Sequence, residues 1–297
     1  MTPKKVIGRF APSPTGPLHF GSLVTALGSY LDARSQGGEW LVRMEDIDPP
    51  REQPGAGDNI LKTLEAFGFE WDGPVIYQSQ HLDVYQDTLT DLLKNKLAYY
   101  CTCSRKDIAK LVDGDSGTRY AGTCRGHTRP RETASVRILT NHDKISLLDG
   151  LQGEYSWDLE KEFGDFIIKR RDQLFAYHLA VVIDDAGQGI TDIIRGADLL
   201  TSTPHHLHLQ RVLGLATPNY LHLPMAVDKT GAKLSKQSHA TPVNSNDAVP
   251  VLRVALTFLN QTLPPEHAHC NKHELLGWSI KHWCPDNIPA SKKIIVN

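Results

Sequence analysis

The sequence lacks long hydrophobic runs, and this absence excludes a membrane-spanning protein. Its 297 residues contain no stretch near the roughly 18–20 consecutive apolar residues that a membrane helix needs, so we expect no membrane partner. The opening residues, MTPKKVIGRFAPSP, lack the apolar segment of a secretory signal, and we therefore expect a cytoplasmic protein. Repeats and low-complexity segments are also missing, so the composition is that of an ordinary globular protein.

Net charge is nearly absent as well. The 32 lysines and arginines almost balance the 34 aspartates and glutamates, so the protein as a whole does not attract polyanions strongly. Segment 104–131 differs locally, with seven basic residues against three aspartates. A solvated surface loop explains this excess as well as a nucleic-acid-binding loop does.

Cysteine is scarce, and the five cysteines are odd in number, which argues against a disulfide framework. Three of them, Cys101, Cys103 and Cys124, fall within 24 residues and offer soft ligands to a structural zinc, which needs four. Tyr120 and His127 are the candidates for the fourth ligand, and chemistry alone favours His127 because phenolate is a rare ligand. Three reduced thiols without a metal are the alternative.

The hydrophobic pattern predicts an α/β fold with a parallel sheet covered by helices, because strands and helices alternate at short spacing. The predicted strands are 6–10, 40–43, 135–138 and 177–183. The predicted helices begin at Gly21 and cover 60–67, 84–93 and 204–213.

Four regions follow from this pattern. Residues 1–100 form the first half of a catalytic domain, and residues 101–170, rich in glycine, threonine and arginine, form an inserted subdomain that carries the cysteines. Residues 171–240 complete the catalytic domain, and residues 241–297 are predicted to be a short helical region.

Two separated segments together predict a nucleotide site. RFAPSPTGPLHFGSL, from Arg9, joins a strand to a helix N-terminus, where His19, Ser22 and free backbone N–H groups near Gly21 could bind phosphate. GAKLSKQ, at 231–237, carries Lys233 and Lys236, which could neutralise a triphosphate as point charges. A capped helix explains the first segment alone, and a solvated turn explains the second alone. Their joint occurrence favours the nucleotide site.

These segments resemble the signatures of class I aminoacyl-tRNA synthetases, with HFGS in place of HIGH and KLSKQ in place of KMSKS. The glutamyl branch is more similar still, through RFAPSPTGPLHFGSL, RMEDIDPPRE, YHLAVVIDD and IIRGADLLTSTP, which follow in family order between 9 and 237. The resemblance implies a Rossmann-like catalytic domain, glutamate and ATP with Mg²⁺ as partners, and catalytic roles for His19 and Lys236. It also implies that five residues hold glutamate: Arg9, Ser13, Glu45, Tyr177 and Arg195.

The resemblance is imperfect near the amino acid. The related enzymes have an asparagine where this chain has Val181 and an aromatic residue where it has Leu199. Because an amide near the substrate carboxylate supplies a directional contact, its loss at Val181 is expected to weaken glutamate binding.

The chain is also short, since only 61 residues follow Lys236 and a large anticodon-binding domain does not fit into them. In this respect it is similar to the shortened paralogues of the glutamyl branch, the glutamyl-queuosine tRNA(Asp) synthetases. The resemblance implies glutamyl transfer to queuosine in the anticodon loop of tRNA(Asp), a monomer, and Tyr120 as the fourth ligand of a structural zinc, through the pattern CxC…Yx₃C. It implies no metal at His205, His206 and His208, which are read as solvated or core histidines.

Three alternative functions remain open at this point. The first is glutamylation of a tRNA 3′ end by a truncated synthetase. The second is a small-molecule nucleotidylyltransferase, against which the predicted glutamate pocket argues. The third is a non-catalytic RNA-binding paralogue, which two intact phosphate-binding segments disfavour.

Overall fold

The computed structural model describes residues 5–110, 119–127, 133–231, 242–265 and 269–296. The strands are β1 (Ile7–Phe10), β2 (Glu39–Met44), β3 (Ile76–Tyr77), β4 (Ala98–Cys101), β5 (Ser135–Ile138), β6 (Lys144–Asp149), β7 (Gly153–Asp158), β8 (Ile167–Lys169), β9 (Asp192–Gly196), β10 (Asn219–Leu223), β11 (Met225–Val227) and β12 (Lys293–Ile295). The α-helices are α1 (Phe20–Ser35), α2 (Ala56–Ala66), α3 (Leu82–Lys94), α4 (Arg105–Lys110), α5 (Leu159–Glu162), α6 (Tyr177–Gly187), α7 (Thr203–Val212), α8 (Ala248–Phe258) and α9 (Lys272–Lys281).

A five-stranded parallel sheet forms the centre, with the strand order β10-β9-β1-β2-β3. Gly8 of β1 pairs with Trp40 on one side and with Asp192 on the other, so β1 lies in the middle of the sheet. The carboxyl ends of β1, β2 and β9 therefore meet at one edge, which is where ligands bind in open parallel sheets. The predicted α/β architecture is confirmed.

Helix α1 covers one face of this sheet. Its Leu23, Leu27 and Leu31 repeat every four residues and are fully buried against β1 and β9. Gly28 allows the close approach, since a Cβ at this position would lie 2.7 Å from Cδ1 of Leu223 on β10. The packing therefore positions the N-terminus of α1 at the carboxyl edge of the sheet.

The C-terminal region packs on the outer side of α1. Leu252 and Leu256 of α8 and Leu275 of α9 are fully buried in the same core as α1, and Trp283 Nε1 donates to Asp32 Oδ1 at 3.1 Å. The predicted helical C-terminal region is confirmed, with one addition. Strand β12 pairs in parallel with β11, so the last described residues lie beside the strand that precedes the lysine segment.

A second sheet and a hairpin separate the two halves of the parallel sheet in sequence. Strands β4, β5 and β8 form an antiparallel sheet, and β6 and β7 form the hairpin. The antiparallel sheet begins three residues before the predicted insertion 101–170 and ends within it. The division of the chain into four regions stays a prediction.

The strand predicted at 177–183 is wrong, because these residues begin α6. A short continuous apolar run is compatible with a buried strand or a buried helix, and the pattern alone does not distinguish the two. Here the helix continues to Gly187 and is buried on several sides, by α3 and α7 among others. Such burial removes the polar face by which a helix is usually recognised.

Some predictions concern residues outside the described ranges. Lys233, Lys236 and the rest of KLSKQ are among them, as are parts of the basic segment 104–131. Within the described ranges, none of the helices is long and apolar enough to cross a membrane.

Candidate active site

A cleft of about 1040 Å³ opens at the carboxyl edge of the parallel sheet. It lies between the ends of β1, β2 and β9 on one side and residues of the antiparallel sheet on the other. The structure brings together in this cleft all the predicted nucleotide and glutamate ligands that it describes: Arg9, Ser13, His19, Gly21, Ser22, Glu45, Tyr177 and Arg195. Residues as distant in sequence as Arg9 and Arg195 meet here because β1 and β9 are neighbours in the sheet.

The N-terminus of α1 forms one wall of the cleft. His19 is the N-cap residue, and its Nδ1 accepts from the backbone N–H of Ser22 at 3.3 Å. Its Nε2 is 3.0 Å from Ser22 Oγ, so the two side chains form a compact polar pair. This helix end offers backbone N–H groups and a partial positive charge to an anion.

The described chain resumes after the lysine segment at Pro242, beside this helix end. Pro242 forms an antiparallel bridge with His19, and the Val243 N–H donates to the carbonyl oxygen of Leu18 at 3.0 Å. The residues that follow the two predicted lysines in sequence, from Pro242, are therefore paired with the predicted phosphate-binding element.

A network of buried charges extends from β1 and β2 to α6. Arg9 Nε donates to Asp185 Oδ1 at 3.1 Å, and Arg43 Nη2 donates to the same oxygen at 2.8 Å. Both arginines and Asp185 are at least 95% buried. Burial alone would raise the pKa of Asp185, but the two arginines outweigh it and the pKa is lowered, so the carboxylate is ionised.

Glu45 lies at the edge of this network. Its Oε1 is 3.6 Å from Arg43 Nη2, which is already engaged by Asp185. Burial raises the pKa of Glu45 to about 7, against the opposing effect of Arg43 and Arg9. A cation that binds beside Glu45 would therefore stabilise the ionised form of its carboxylate.

Sequence reasoning missed Arg43 and Asp185 as site residues. Both carried a signal, because each charged residue adjoins an apolar run that is buried in the structure: Arg43 follows WLV in β2, and Asp184 and Asp185 follow AVVI. A charged residue within such a run is rarely buried without a partner. Its partner could not be named from the run alone.

Arg195 at the end of β9 is held by hydrogen bonds on both sides of its guanidinium. Nε donates to His222 Nε2 at 3.0 Å, Nη2 donates to Thr203 Oγ1 at 2.8 Å, and Nη1 is 3.1 Å from His206 Nδ1. Tyr177 packs its ring 5.5 Å from that of His206, and burial together with Glu45 raises its pKa to about 12. The phenol is therefore protonated and can donate a hydrogen bond.

The two positions that depart from the glutamyl pattern differ in location. Val181 is 1% exposed and packs in an apolar core with Ile138 and Leu209, outside the cleft. Leu199 lines the cleft, and its carbonyl oxygen accepts from Arg195 Nη2 at 3.4 Å. Of these two side chains, only that of Leu199 can therefore contact a ligand in the cleft directly.

Three thiols and a phenol converge beside the antiparallel sheet. The sulfur atoms of Cys101, Cys103 and Cys124 lie within 4.8 Å of one another, and those of Cys103 and Cys124 are 3.5 Å apart. The Tyr120 hydroxyl is 3.4 Å from the sulfur of Cys101 and 3.7 Å from that of Cys103. His127 is exposed and does not belong to this group. Tyr120 is thus better placed as a fourth ligand than His127.

The histidines of α7 form no metal group in the described part of the chain. His205, His206 and His208 are buried, so they are core rather than solvated histidines. Burial lowers the pKa of His205 to about 4 and that of His206 well below its usual value. Both rings are therefore neutral at physiological pH.

Comparison with known proteins identifies the family. Residues 5–259 match the family described as class I tRNA synthetases (E and Q), catalytic domain. Proteins named glutamyl-Q tRNA(Asp) synthetase from Dechloromonas aromatica and Pseudomonas aeruginosa are 50% and 51% identical to the chain. These alignments cover 97% and 95% of the chain and the same shares of the relatives.

Solved structures agree with this assignment. A glutamate-tRNA synthetase from Elizabethkingia anophelis has a TM-score of 0.81 at 24% identity and covers 99% of the chain. A glutamate tRNA ligase from Elizabethkingia meningosepticum, solved in complex with its amino acid, has a TM-score of 0.77 at 26% identity and covers 97%. The chain spans 68% and 66% of these two proteins. On these findings the chain belongs to the class I tRNA synthetases (E and Q) and, among them, to the glutamyl-Q tRNA(Asp) synthetases.

Proposed function

We propose that this protein activates glutamate with ATP and transfers it to the queuosine base at the wobble position of tRNA(Asp). The observation that carries the proposal is the cleft itself. The N-terminus of α1, the buried guanidinium groups of Arg9 and Arg195, and the Glu45 carboxylate all face this space. Relatives of about 50% identity over nearly the whole chain have a name that states this specificity.

The amino acid would be held by charge. Glutamate carries two carboxylates and one ammonium, so its site needs cations and one anion. Arg195 and Arg9 would bind the side-chain carboxylate together with the Tyr177 hydroxyl, and Glu45 would receive the ammonium. Ser13, an exposed residue of the loop after β1, would close the pocket.

ATP would lie across the N-terminus of α1. An oxygen of the glutamate α-carboxylate attacks the α-phosphorus, the bond to the bridging oxygen breaks, and pyrophosphate leaves with that oxygen. His19, Ser22 and the backbone at Gly21 would stabilise the charge that develops on the α-phosphate. Lys233 and Lys236 would neutralise the leaving pyrophosphate, and Mg²⁺ bound with ATP would add positive charge there. A hydroxyl of the queuosine diol then attacks the adenylate carbonyl, forming an ester and releasing AMP.

A structural zinc fits the Cys101, Cys103, Cys124 and Tyr120 group. Zn–S bonds of about 2.3 Å in a tetrahedron set two sulfurs about 3.8 Å apart, and a Zn–O bond of about 2.0 Å sets oxygen and sulfur about 3.5 Å apart. The spacings of 3.5 Å between sulfurs and of 3.4 and 3.7 Å to the phenol oxygen are close to these values. The zinc would tie β4 to the segment around Tyr120. We further infer that the protein works as a monomer in the cytoplasm.

The test is glutamate transfer to defined RNA. Labelled glutamate and ATP are supplied with tRNA(Asp) from cells that make queuosine, with tRNA(Asp) from cells that do not, and with queuosine-containing tRNA(Asp) that lacks its 3′-terminal adenosine. We expect transfer to the first and third RNAs and none to the second. Transfer to the first and second only would indicate a 3′-end synthetase. Glutamate-dependent pyrophosphate exchange without transfer to any RNA would overturn the proposed acceptor.

A further inference from the structure

We propose that Asp149 and His222 are positioning residues, which hold the guanidinium of Arg195 in the orientation that receives the glutamate side chain. The inference rests on the proposed function, in which Arg195 contacts the substrate. Asp149 ends β6 of the hairpin, His222 belongs to the edge strand β10, and Arg195 is the last residue but one of β9. Neither positioning residue lines the cleft, so both act through Arg195.

The hydrogen bonds between these residues determine where each proton lies. Asp149 Oδ2 is 2.5 Å from His222 Nδ1. Burial opposes ionisation of Asp149, but its interactions with His222 and the hydrogen bond from the Gln152 backbone together outweigh burial, and the pKa of Asp149 is lowered. The ionised carboxylate can only accept, so Nδ1 carries the proton. Burial also lowers the pKa of His222, which leaves Nε2 of the neutral ring without a proton.

This unprotonated nitrogen accepts a hydrogen bond from Arg195. Its Nε, which can only donate, lies 3.0 Å from His222 Nε2. On the same edge, Nη2 donates to Thr203 Oγ1 at 2.8 Å, and Thr203 Oγ1 lies 3.1 Å from His222 Nε2. Nη2 also donates to the carbonyl oxygen of Leu199 at 3.4 Å, and Nη1, on the opposite side, is 3.1 Å from His206 Nδ1. The guanidinium is planar, so contacts at Nε and Nη2 on one edge and at Nη1 on the opposite side set its rotation. His222 supplies the contact on the Nε edge.

The replacement of Asp149 by asparagine should reverse the proton position. Asp149 Oδ1 accepts from three backbone N–H groups, those of Leu151 at 3.1 Å, Gln152 at 2.8 Å and His222 at 3.2 Å. An amide nitrogen cannot accept, so the asparagine oxygen takes this place and its NH₂ group faces His222 Nδ1. Nδ1 must then accept, and the proton moves to Nε2. There it opposes the N–H of Arg195.

The experiment measures ATP–pyrophosphate exchange of Asp149→Asn with queuosine-containing tRNA present. We expect the KM for glutamate to rise roughly tenfold or more, because one charge-assisted contact of Arg195 becomes repulsive, while the KM for ATP stays near that of the wild type. The matched control is Asp143→Asn, the same change at an exposed aspartate one residue before β6. It should leave both KM values unchanged.

A second measurement reads the proton directly. The ¹⁵N chemical shifts of His222 should indicate protonation at Nδ1 in the wild type and at Nε2 in Asp149→Asn. Thermal unfolding of the wild type and of Asp149→Asn serves to check that both proteins are folded. A purely structural role of Asp149 would lower stability without moving the proton or separating the two KM values.

A further variant, His222→Gln, allows the proposal to be tested even if Asp149→Asn folds poorly. In His222→Gln the side-chain oxygen can turn towards Arg195 whatever residue occupies position 149, so the KM for glutamate should stay within about threefold of the wild type. Adding Asp149→Asn to His222→Gln should then raise the KM for glutamate little further. This result would indicate strong coupling between the two sites.

Three results would overturn the inference. They are an unchanged glutamate KM in Asp149→Asn, an unchanged His222 tautomer, and equal effects of Asp149→Asn in the wild-type and His222→Gln backgrounds. Failure of the proposed function is a separate result, since it would show as absent glutamate-dependent exchange in the wild type, while the ¹⁵N shifts would still report on the positioning of Arg195.

Discussion

Glu45 is a buried carboxylate whose nearest cation, Arg43, is shared with a stronger partner. Arg43 Nη2 is 3.6 Å from Glu45 but 2.8 Å from Asp185, and the pKa of Glu45 is accordingly raised to about 7. A carboxylate without a full ion pair lowers the stability of the folded protein but raises the affinity of the site for a cation. At the scale of single residues, we expect this carboxylate to favour a ligand with an ammonium group.

The first prediction concerns the pH dependence of activity. Below pH 7 Glu45 binds a proton and can no longer pair with the ammonium of glutamate. We expect kcat/KM for glutamate in pyrophosphate exchange to fall below about pH 7, approaching tenfold per pH unit, since kcat/KM reports the free enzyme. kcat/KM for ATP at saturating glutamate should lack this bend, because the bound ammonium favours the ionised carboxylate. A glutamate profile that stays flat to pH 5.5 would contradict the role of Glu45.

The second prediction concerns stability. The pKa of Glu45 is higher in the folded protein than in the unfolded chain, so its contribution is fully present below the unfolded value and is lost as the pH rises through about 7. The Glu45→Gln variant has no carboxyl group at this position and therefore does not lose this stability as the pH rises. Its free energy of unfolding relative to the wild type should therefore increase between pH 5 and pH 8, by at most about 3 kcal/mol. Urea unfolding at the two pH values measures the change, and Glu154→Gln on the exposed face of β7 should show none.

At the scale of elements, the fold brings short segments from distant parts of the chain against the thiol group. Tyr120 forms a bridge with Gly164, just after α5, and its N–H donates to the carbonyl oxygen of Phe163 at 3.3 Å. Arg137 of β5 lies over the Tyr120 ring, with its guanidinium carbon 3.9 Å from the centroid. These contacts hold the phenol in place before any metal binds.

The third prediction tests this support with two glycines of the same backbone conformation. Gly164 has φ +70°, and a Cβ there would lie 2.1 Å from the carbonyl oxygen of Tyr120. Gly153 has φ +82°, and a Cβ there would have no neighbour within 4 Å. Both alanine variants carry similar backbone strain, of about 1 kcal/mol. Only Gly164→Ala should also displace Tyr120 and reduce the zinc content of purified protein, as measured by plasma mass spectrometry. Equal zinc contents would count against a ligand role of Tyr120.

The fourth prediction concerns the metal itself. The purified protein should contain one zinc per chain, and Cys101→Ser should lose it together with several degrees of thermal stability, because a structural zinc supplies folding free energy of order 10 kcal/mol in small domains. Cys284→Ser is the control, since Cys284 lies in the C-terminal region away from the thiol group. Full zinc occupancy in Cys101→Ser would refute the proposed ligand set.

At the scale of the whole molecule, the cleft lies between parts of the chain that are far apart in sequence. Its walls come from β1 and α1, from the antiparallel sheet, and from β9 with the segment after β10. A ligand that contacts all of them stabilises the folded state as a unit.

The fifth prediction uses this linkage. Glutamate at about 100 times its dissociation constant should raise the free energy of unfolding by about 2.7 kcal/mol and the melting temperature by roughly 5 °C. Aspartate and glutamine at the same concentration should have little effect, since the side chain of aspartate is too short and that of glutamine carries an amide in place of the carboxylate. In Arg195→Lys the shift by glutamate should vanish, because lysine cannot form the forked contact. A comparable shift by glutamine would redirect the substrate assignment.

Much of this protein could be predicted from its sequence. The α/β fold, the helical C-terminal region and the family are confirmed, and the described nucleotide and glutamate ligands do share one cleft. The roles of those ligands stay predictions. The strand at 177–183 was wrong because burial on several sides erased the period that would have revealed α6. Ligand chemistry alone favours His127, but the family resemblance implies Tyr120, and Tyr120 is the residue whose side chain reaches the thiols.

The residue types of the candidate site can be predicted from the sequence, because each motif places them at fixed spacing around a strand end or a helix start. Which side chains contact one another depends on the tertiary structure. Asp149, Arg195 and His222 come from the hairpin, β9 and β10, and no local pattern connects them. Their hydrogen bonds depend on which strands are neighbours and on which way each side chain points. The same holds for Arg43, Asp185 and Glu45, whose pKa values follow from distances that only the packed sheet and α6 establish.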